Sequence, residues 1–226
     1  LVTLFANNRP SSEFMPICQK NKFIFLHIPR CGGTSIERVF NLRSKQQLFG
    51  VVRMGDQERT LHHLTPGDLE ELGLVDPSVL ESYFKFTIIR DPFSRMASDY
   101  LWQQRYDRHN LFKSMQFSDY LDFAESVVKN QRYFEKVHFD HFRPMVSYCL
   151  NGGELVVDDI LLLENIDIEL KRIQPLIGVV DLPRINASPS YQHLSTRENI
   201  DRVRILYEED WLLYERIQAL HHSLYR

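Results

Sequence analysis

The chain has 226 residues, a length that fits one large domain or two small ones. Hydrophobic residues make up 43% of it and charged residues 25%, which excludes a chain that is disordered, collagen-like or coiled-coil throughout. Its 27 basic and 30 acidic residues give a formal net charge of −3, so non-specific binding to nucleic acid is not expected. Any site for an anion must therefore be a local concentration of basic side chains.

The cysteines and the hydropathy pattern bear on the compartment. The 3 cysteines, Cys18, Cys31 and Cys149, match neither a disulfide framework nor a zinc site in number and spacing. This favours a reducing compartment, so a cytoplasmic location is expected, with a Golgi-lumenal or secreted catalytic domain as the alternative for a truncated chain. The sequence contains no run of about 18 apolar residues, so no membrane span is predicted.

The predicted elements alternate between strands and helices. Residues 1–21 are predicted to be an irregular leader and residues 22–226 a single domain. Short apolar runs predict buried strands at residues 22–27, 83–89 and 159–163. Helical spacing and start signals predict helices at residues 34–42, 66–72, 91–105, 117–129, 166–177 and 197–220. The alternation is typical of an α/β fold with a central parallel sheet flanked by helices on both faces.

The first motif that carries chemistry is HIPRCGGTSI at residues 27–36. It joins a predicted buried strand to a helix through a Gly-Gly turn, and the helix begins with Thr34 and Ser35. Glycine lets the backbone approach a phosphate, the helix start and the hydroxyls supply donors, and Arg30 adds positive charge. These features predict a phosphate cradle, with an ordinary strand–turn–helix junction as the alternative. The motif is not a Walker A loop, because no lysine precedes Thr34.

The second motif is IIRDPFSRMAS at residues 88–98. Arg90 follows a predicted strand, and Ser98 lies two turns into the next helix. Open α/β sheets bind ligands at the carboxyl ends of their strands. A guanidinium matches two phosphate oxygens, so Arg90 and Ser98 are a candidate clamp for a second phosphate. Alternatively, Arg90 pairs only with Asp91 or another surface acid.

Together, the first motif and the segment FKFTIIRDPFSRMAS at residues 84–98 closely resemble the sulfotransferases. The best match is the carbohydrate branch related to heparan sulfate 2-O-sulfotransferase and its bacterial relatives. Weaker similarity continues through HFRP at residues 141–144, LLEN at 162–165 and LPRINAS at 182–188. The resemblance implies a P-loop-like α/β fold and the donor 3′-phosphoadenosine 5′-phosphosulfate (PAPS).

The resemblance also implies roles for individual residues. The first loop would hold the 5′-phosphosulfate through Arg30, Cys31, Gly32, Gly33, Thr34 and Ser35. Arg90 and Ser98 would bind the 3′-phosphate, and Asn186 and Ser188 would close over the nucleotide. The family usually has Lys-Thr where this chain has Arg30 and Cys31. Arg30 can neutralise charge on the bridging oxygen of the leaving group, whereas Cys31 lacks the threonine hydroxyl.

Sulfuryl transfer by in-line attack needs a base for the proton of the acceptor hydroxyl. The resemblance places a histidine base between the two motifs, where this chain has His62 and His63. An imidazole has a pKa near neutrality, which suits a base. We expect His63 to be the base, then His62, because the family pattern places the base at the second of two close histidines. Glu58 and Asp56 are alternatives, and either histidine could instead be a loop or capping residue.

The acceptor is expected to be a carbohydrate hydroxyl, with His141 and Arg143 as candidates for lining its groove. No Walker B acid is evident, so no metal is expected; Arg30 and the loop amides would supply the positive charge. One alternative is a P-loop nucleotide kinase or other NTPase, which needs Mg²⁺ and a loop lysine. Another is a non-catalytic protein that binds a phosphonucleotide or a sulfated glycan. The oligomeric state is not predicted.

Overall fold

The computed structural model describes residues 17–42, 51–54, 57–106, 110–129, 139–178 and 190–224. The strands are β1 (Ile17–Cys18), β2 (Phe23–Leu26), β3 (Val51–Met54), β4 (Gln57–Thr60), β5 (Phe84–Ile89), β6 (Leu150–Asn151), β7 (Glu154–Leu155) and β8 (Asp159–Leu162). The helices are α1 (Gly33–Val39), α2 (Pro66–Glu71), α3 (Pro77–Ser82), α4 (Pro92–Tyr106), α5 (Phe117–Val128), α6 (Val146–Cys149), α7 (Ile166–Ile177), α8 (Arg197–Leu206) and α9 (Glu208–Leu224).

Among the described strands, four form the central sheet in the order β1-β2-β5-β8. β2, β5 and β8 are parallel, with Leu26 beside Thr87 and Ile89 beside Leu162, and β1 pairs antiparallel with β2. Every side chain of β2 is buried, as expected of a strand covered on both faces. The prediction of an α/β fold with a central, mostly parallel sheet flanked by helices is confirmed.

Two hydrophobic clusters stabilise these layers. The first surrounds the sheet and includes Phe25 and Phe86, and both α7 and α9 contact β8. The second is rich in aromatic residues such as Tyr120 and lies where α4 and α5 meet α8. Helix α9 connects the two clusters, because Trp211 packs against the second and Tyr214 belongs to the first.

The helix predicted at residues 197–220 is interrupted in the structure. α8 ends at Leu206 and α9 begins at Glu208, and Tyr207 between them has φ −122° and ψ 45°. The buried Tyr207 hydroxyl donates a hydrogen bond to the Phe142 carbonyl at 3.0 Å. The prediction of one continuous helix was wrong because the apolar stripe runs on through the break, so hydrophobic spacing does not reveal it.

Several described elements lie where no element was predicted. β1 falls within residues 1–21, and the antiparallel hairpin of β3 and β4 lies in a polar segment.

Helix α2 begins as predicted: Thr65 Oγ1 accepts from the Asp68 N–H at 3.2 Å, and the Asp68 carboxylate accepts from the Thr65 N–H at 2.9 Å. Among the described helices, none combines the length and the apolar character needed to cross a bilayer.

Candidate active site

The two sequence motifs meet at the carboxyl edge of the central sheet. β2, β5 and β8 are parallel, so the segments that follow them start side by side. The Arg90 Nη1 atom donates to the Arg30 carbonyl at 3.4 Å, which joins the first two segments. The Glu164 Oε1 atom accepts from the Asp91 N–H at 3.0 Å, which joins the second to the third. The fold therefore assembles one site from three strand ends.

Close contacts explain both glycines of the turn. Gly32 has φ +80°, in the left-handed region that favours glycine, and an added Cβ would lie 2.6 Å from Leu163 Cδ1. An added Cβ on Gly33 would lie 2.2 Å from Cδ2 of His27. The turn is thus shaped by its neighbours, with the His27 imidazole occupying the space of a side chain at Gly33.

Arg30 extends from the turn to helix α4. Its Nε and Nη2 atoms donate to Ser98 Oγ at 3.2 and 3.0 Å, and its Cζ lies 5.7 Å from the centre of the Trp102 ring. Arg30 has φ 66°, a conformation that costs a residue other than glycine about 1–3 kcal/mol. Burial lowers the pKa of Arg30, an effect that Asp99 opposes, and a guanidinium stays charged at neutral pH. The turn therefore carries a fixed cation.

Arg90 places a second cation beside the first. Its Nη2 atom lies 3.5 Å from the Tyr191 hydroxyl, and its Cζ lies 5.7 Å from the centre of that ring. The charge of Arg90 also lowers the pKa of Arg30, with a smaller effect than burial or the opposing Asp99, because two nearby cations repel each other. An anion bound beside both would relieve this repulsion. Tyr191 lies in a segment that the sequence identifies only as a loop.

The remaining residues of the predicted phosphate cradle differ in the groups that they could offer to a ligand. The Cys31 thiol is buried 3.8 Å from Met145 Sδ, and burial raises the pKa of Cys31 to about 12, so it carries no charge at neutral pH. A contribution of Cys31 to binding thus falls to its backbone. Thr34 is half-buried and Ser35 is buried at the start of α1, where no side chain caps the helix.

Histidines cluster beside the turn. His27 Nδ1 lies 2.6 Å from Oε1 of the fully buried Glu37, and His63 Nδ1 donates to the His27 carbonyl at 2.8 Å. Because a carbonyl oxygen only accepts, the neutral His63 ring carries its proton on Nδ1 and its lone pair on Nε2. The His62 and His63 ring centres are 3.8 Å apart. The structure thus places both predicted base candidates beside the first motif.

Burial dominates the electrostatics of this cluster. Burial, and then the neighbouring imidazoles, hold the pKa of His63 well below its ordinary value, so the ring is neutral at neutral pH. The ligating atoms of His27, His62 and His63 lie within 4.8 Å of one another. The hydrogen bonds at Nδ1 fix the orientation of the His27 and His63 rings.

His141 approaches the same region from a different segment. Its Nδ1 lies 2.5 Å from Asp99 Oδ1, and Asp99 Oδ2 accepts from the Tyr120 hydroxyl at 2.5 Å. The ring stacks on Trp102 with 4.8 Å between centres and lies 5.8 Å from the His63 ring. Burial raises the pKa of Asp99, but His141 and the hydrogen bonds outweigh it, so the pKa lies below its ordinary value. The sequence analysis did not identify Asp99, although it directly follows Ser98, the last residue of the second motif.

Arg143, predicted to line an acceptor groove, is held by an internal ion pair. Its Nη1 atom donates to Asp68 Oδ2, and its Nη2 atom to Asp68 Oδ1 at 3.3 Å. Asp68 also closes the capping box of α2, and Arg59 Nε lies 3.7 Å from its carboxylate. Arg143 therefore fixes its own segment, two residues after His141, against α2.

Arg95 is a buried residue that links the site, and the sequence analysis gave it no role. It is 1% exposed, and its Nε atom donates to the Pro29 carbonyl at 3.3 Å. Its Nη2 atom donates to the carbonyls of His141 at 3.1 Å and Arg143 at 2.8 Å. Its charge is balanced by the fully buried Asp210, whose Oδ2 lies 3.8 Å from Nη1. One guanidinium thus ties the first loop to the His141 segment.

Some predicted site residues cannot be placed. Asn186, Ser188 and Asp56 lie outside the described residues, as does the side chain of Glu58. The described part of the chain brings together Arg30, Arg90 and Ser98 on one side, and His62, His63 and His141 nearby.

Comparison with known proteins gives the family of the chain. The model of a family described as "Sulfotransferase family" matches residues 14–216. The chain is also similar to carbohydrate sulfotransferase 10 of Danio rerio, at 26% identity over 121 residues. That match covers 51% of this chain but only 31% of the relative's length. No solved structure matched. Because the family match extends over most of its length, the chain belongs to the sulfotransferase family.

Proposed function

We propose that the protein transfers a sulfuryl group from PAPS to a carbohydrate hydroxyl by in-line attack, with a histidine as general base. The observation that carries this proposal is the meeting of Arg30, Arg90 and Ser98 beside a glycine turn at one sheet edge. The carbohydrate class is supported by the printed name of the Danio rerio relative.

The donor would lie along the arginines. Arg30, Thr34, Ser35 and the turn backbone would hold the 5′-phosphosulfate, with Cys31 contributing through its N–H. Arg90 and Ser98 would hold the 3′-phosphate. Ser98 Oγ accepts from Arg30, so the serine that would bind the 3′-phosphate contacts the side chain that would bind the 5′-phosphosulfate. Asn186 and Ser188 are proposed to close over the nucleotide.

The chemistry requires positive charge at the leaving group. The acceptor oxygen forms a new bond to sulfur while the bond to the bridging oxygen breaks, and 3′-phosphoadenosine 5′-phosphate (PAP) leaves with the electron pair. Arg30 is in place before the reaction to stabilise the charge that develops on the bridging oxygen. It acts by charge and hydrogen bonding alone, because a guanidinium does not give up its proton at neutral pH. No metal is needed for this step.

The acceptor proton goes to an imidazole. His63 and His62 are the candidates that the sequence predicts, and His63 is neutral, with its lone pair on Nε2. A base works best when its pKa lies near the working pH, and burial holds the pKa of His63 well below it. His63 is therefore neutral, as a base must be before it accepts a proton, but its low pKa makes it a weak base.

Transfer of radioactive sulfate from [³⁵S]PAPS tests the function. Chemically desulfated heparin and chondroitin are the acceptors, in the presence of EDTA, and we expect labelled polysaccharide. Arg30→Ala should lower the rate about 100-fold or more, because donors to a developing anion contribute this much. Arg38→Ala, at an exposed position of α1, is the control and should keep the wild-type rate.

The alternatives predict different results. A non-catalytic binding protein would bind PAP and label neither polysaccharide. An NTPase would need Mg²⁺ and hydrolyse ATP. The sequence disfavours the second alternative, since it has no lysine in the loop before Thr34.

A further inference from the structure

His141 has the hydrogen-bonding arrangement that a general base requires. Its Nδ1 is paired with Asp99 Oδ1 at 2.5 Å, and a carboxylate accepts, so the neutral ring carries its proton on Nδ1 and its lone pair on Nε2. Asp99 is itself fixed by the Tyr120 hydroxyl at 2.5 Å. The three residues form a buried chain that sets the tautomer and orientation of the imidazole.

We propose that His141, positioned by Asp99, is the base that accepts the proton of the acceptor hydroxyl. This inference rests on the proposed function and replaces His63 as the proton acceptor within it. The acceptor O–H bond breaks and its proton goes to His141 Nε2, while the acceptor oxygen bonds to sulfur and PAP leaves. The imidazolium then releases the proton to solvent.

Charge favours His141 over His63 for this role. A base becomes a cation when it accepts a proton, and Asp99 faces His141 with a negative charge that stabilises that cation. The rings that face His63 are imidazoles: His27, His62 and His141 itself. Burial has the largest effect on the pKa of His63, and these imidazoles lower that pKa further. His63 is thus opposed as a proton acceptor where His141 is supported.

The position of His141 relative to Arg30 also fits. Both contact the Trp102 indole: the His141 ring stacks on it at 4.8 Å, and Arg30 Cζ lies 5.7 Å from its centre. Arg95 donates to the backbone of both segments, at Pro29 and at His141. Shared contacts with Trp102 and Arg95 therefore hold His141 and Arg30 in one neighbourhood, which supports roles for both in one transfer step.

His141 contacts side chains from two other segments. Asp99 and Trp102 lie on α4, and His63 lies on the turn at Leu61–His63. Asp140, its neighbour in the chain, also interacts with it electrostatically. Arg30 also lowers the pKa of Asp99, although its effect is smaller than those of burial, of His141 and of the hydrogen bonds. Asp99 thus remains ionised beside the ring, which keeps the proton on Nδ1.

His141→Asn is the decisive variant. The asparagine amide can donate to Asp99 as Nδ1 does, but it cannot accept a proton at neutral pH. We expect kcat for [³⁵S]PAPS and desulfated polysaccharide to fall about 100-fold or more, the range for loss of a general base. PAP affinity and Tm should stay near wild type. His222→Asn, on the exposed face of α9, is the matched control.

Two further variants separate a catalytic role from a structural one. His141→Ala should regain part of its kcat on addition of imidazole, which a structural defect would not do. Asp99→Asn should lower kcat and shift its pH profile while KM for PAPS changes little, because the amide no longer holds the Nδ1–H tautomer.

The outcomes distinguish this inference from the proposed function. If the wild-type protein transfers sulfate but His141→Asn keeps more than a tenth of kcat, the assignment of His141 is wrong. The same holds if His63→Asn shows the larger loss and the larger imidazole rescue. If the wild-type protein transfers no sulfate and binds no PAP, both proposals are overturned.

Discussion

The arginine side of the site (Arg30, Arg90 and Ser98) and the histidine side (His27, His63 and His141) are built in different ways. The first comes from two continuous motifs at adjacent strand ends, and its two guanidinium groups lie close enough to repel each other. The second comes from three separate segments, and hydrogen bonds to buried oxygens fix its rings. Under the proposed function, the arginine side would bind the donor and the histidine side would accept the proton of the acceptor.

Arg95 joins the two sides, and its loss should have the largest effect. In Arg95→Leu, the carbonyls of Pro29, His141 and Arg143 lose their donor, and Asp210 keeps a buried charge without its cation. We expect the free energy of unfolding to fall by about 3–5 kcal/mol in urea denaturation.

Arg204→Leu provides the comparison for Arg95. Arg204 pairs with Glu215 at an exposed position, so its loss should cost less than about 1 kcal/mol. Equal effects of the two substitutions would show that Arg95 does not hold the two sides together.

Gly33→Ala tests the contact between the sides at the turn. The new Cβ would lie 2.2 Å from His27 Cδ2, so the ring or the turn must move. We expect a loss of about 1–3 kcal/mol in urea denaturation, the usual range for overpacking, together with weaker PAP binding.

Gly67→Ala is the matched control for Gly33. It lies within α2, and an added Cβ would come no closer than 3.4 Å to another atom. Alanine should therefore be neutral or stabilise the helix by up to about 1 kcal/mol. A Gly33→Ala variant as stable as Gly67→Ala would contradict the tight contact with His27.

The buried neutral state of His63 predicts a smaller, pH-dependent effect. Its pKa in the folded protein lies well below the ordinary 6.5, so the unfolded chain binds more protons once the pH falls below that value. Stability is thus present above pH 6.5 and lost as the pH falls, by at most about 1.4 kcal/mol per pH unit from this group.

The melting temperature as a function of pH measures this effect. Between pH 7 and pH 5, the wild-type Tm should fall more steeply than that of His63→Asn, whose amide can still donate to the His27 carbonyl. Identical slopes would mean that His63 is not held neutral by burial.

The difference between the arginine side and the histidine side also explains which residues could be predicted from the sequence. The strands and both motifs are local patterns, so residues 22–27 and 83–89 were placed close to β2 and β5. Arg30, Arg90 and Ser98 were identified because each lies within such a motif. Asp99 and Asp210 were missed because their roles depend on His141 and Arg95, which lie far away along the chain, and no local spacing reveals them.

Local patterns also mislead where tertiary contacts override them. The hydrophobic stripe through residues 197–220 predicts one helix, yet Tyr207 breaks it and bonds to the Phe142 carbonyl. Cys31 lies inside the predicted cradle, yet its thiol packs against Met145 in the core. In both cases the residue's buried partner lies more than 60 residues away along the chain.

Calorimetric titration tests most directly whether the turn and Arg90 bind one nucleotide. The ligands are PAP, ADP and ATP, each with and without Mg²⁺, against the wild-type protein and Arg90→Ala. We predict metal-independent binding that favours PAP over ADP, and loss of that preference in Arg90→Ala. Tighter binding of ATP with Mg²⁺, or an Arg90→Ala variant that still prefers PAP, would contradict the account.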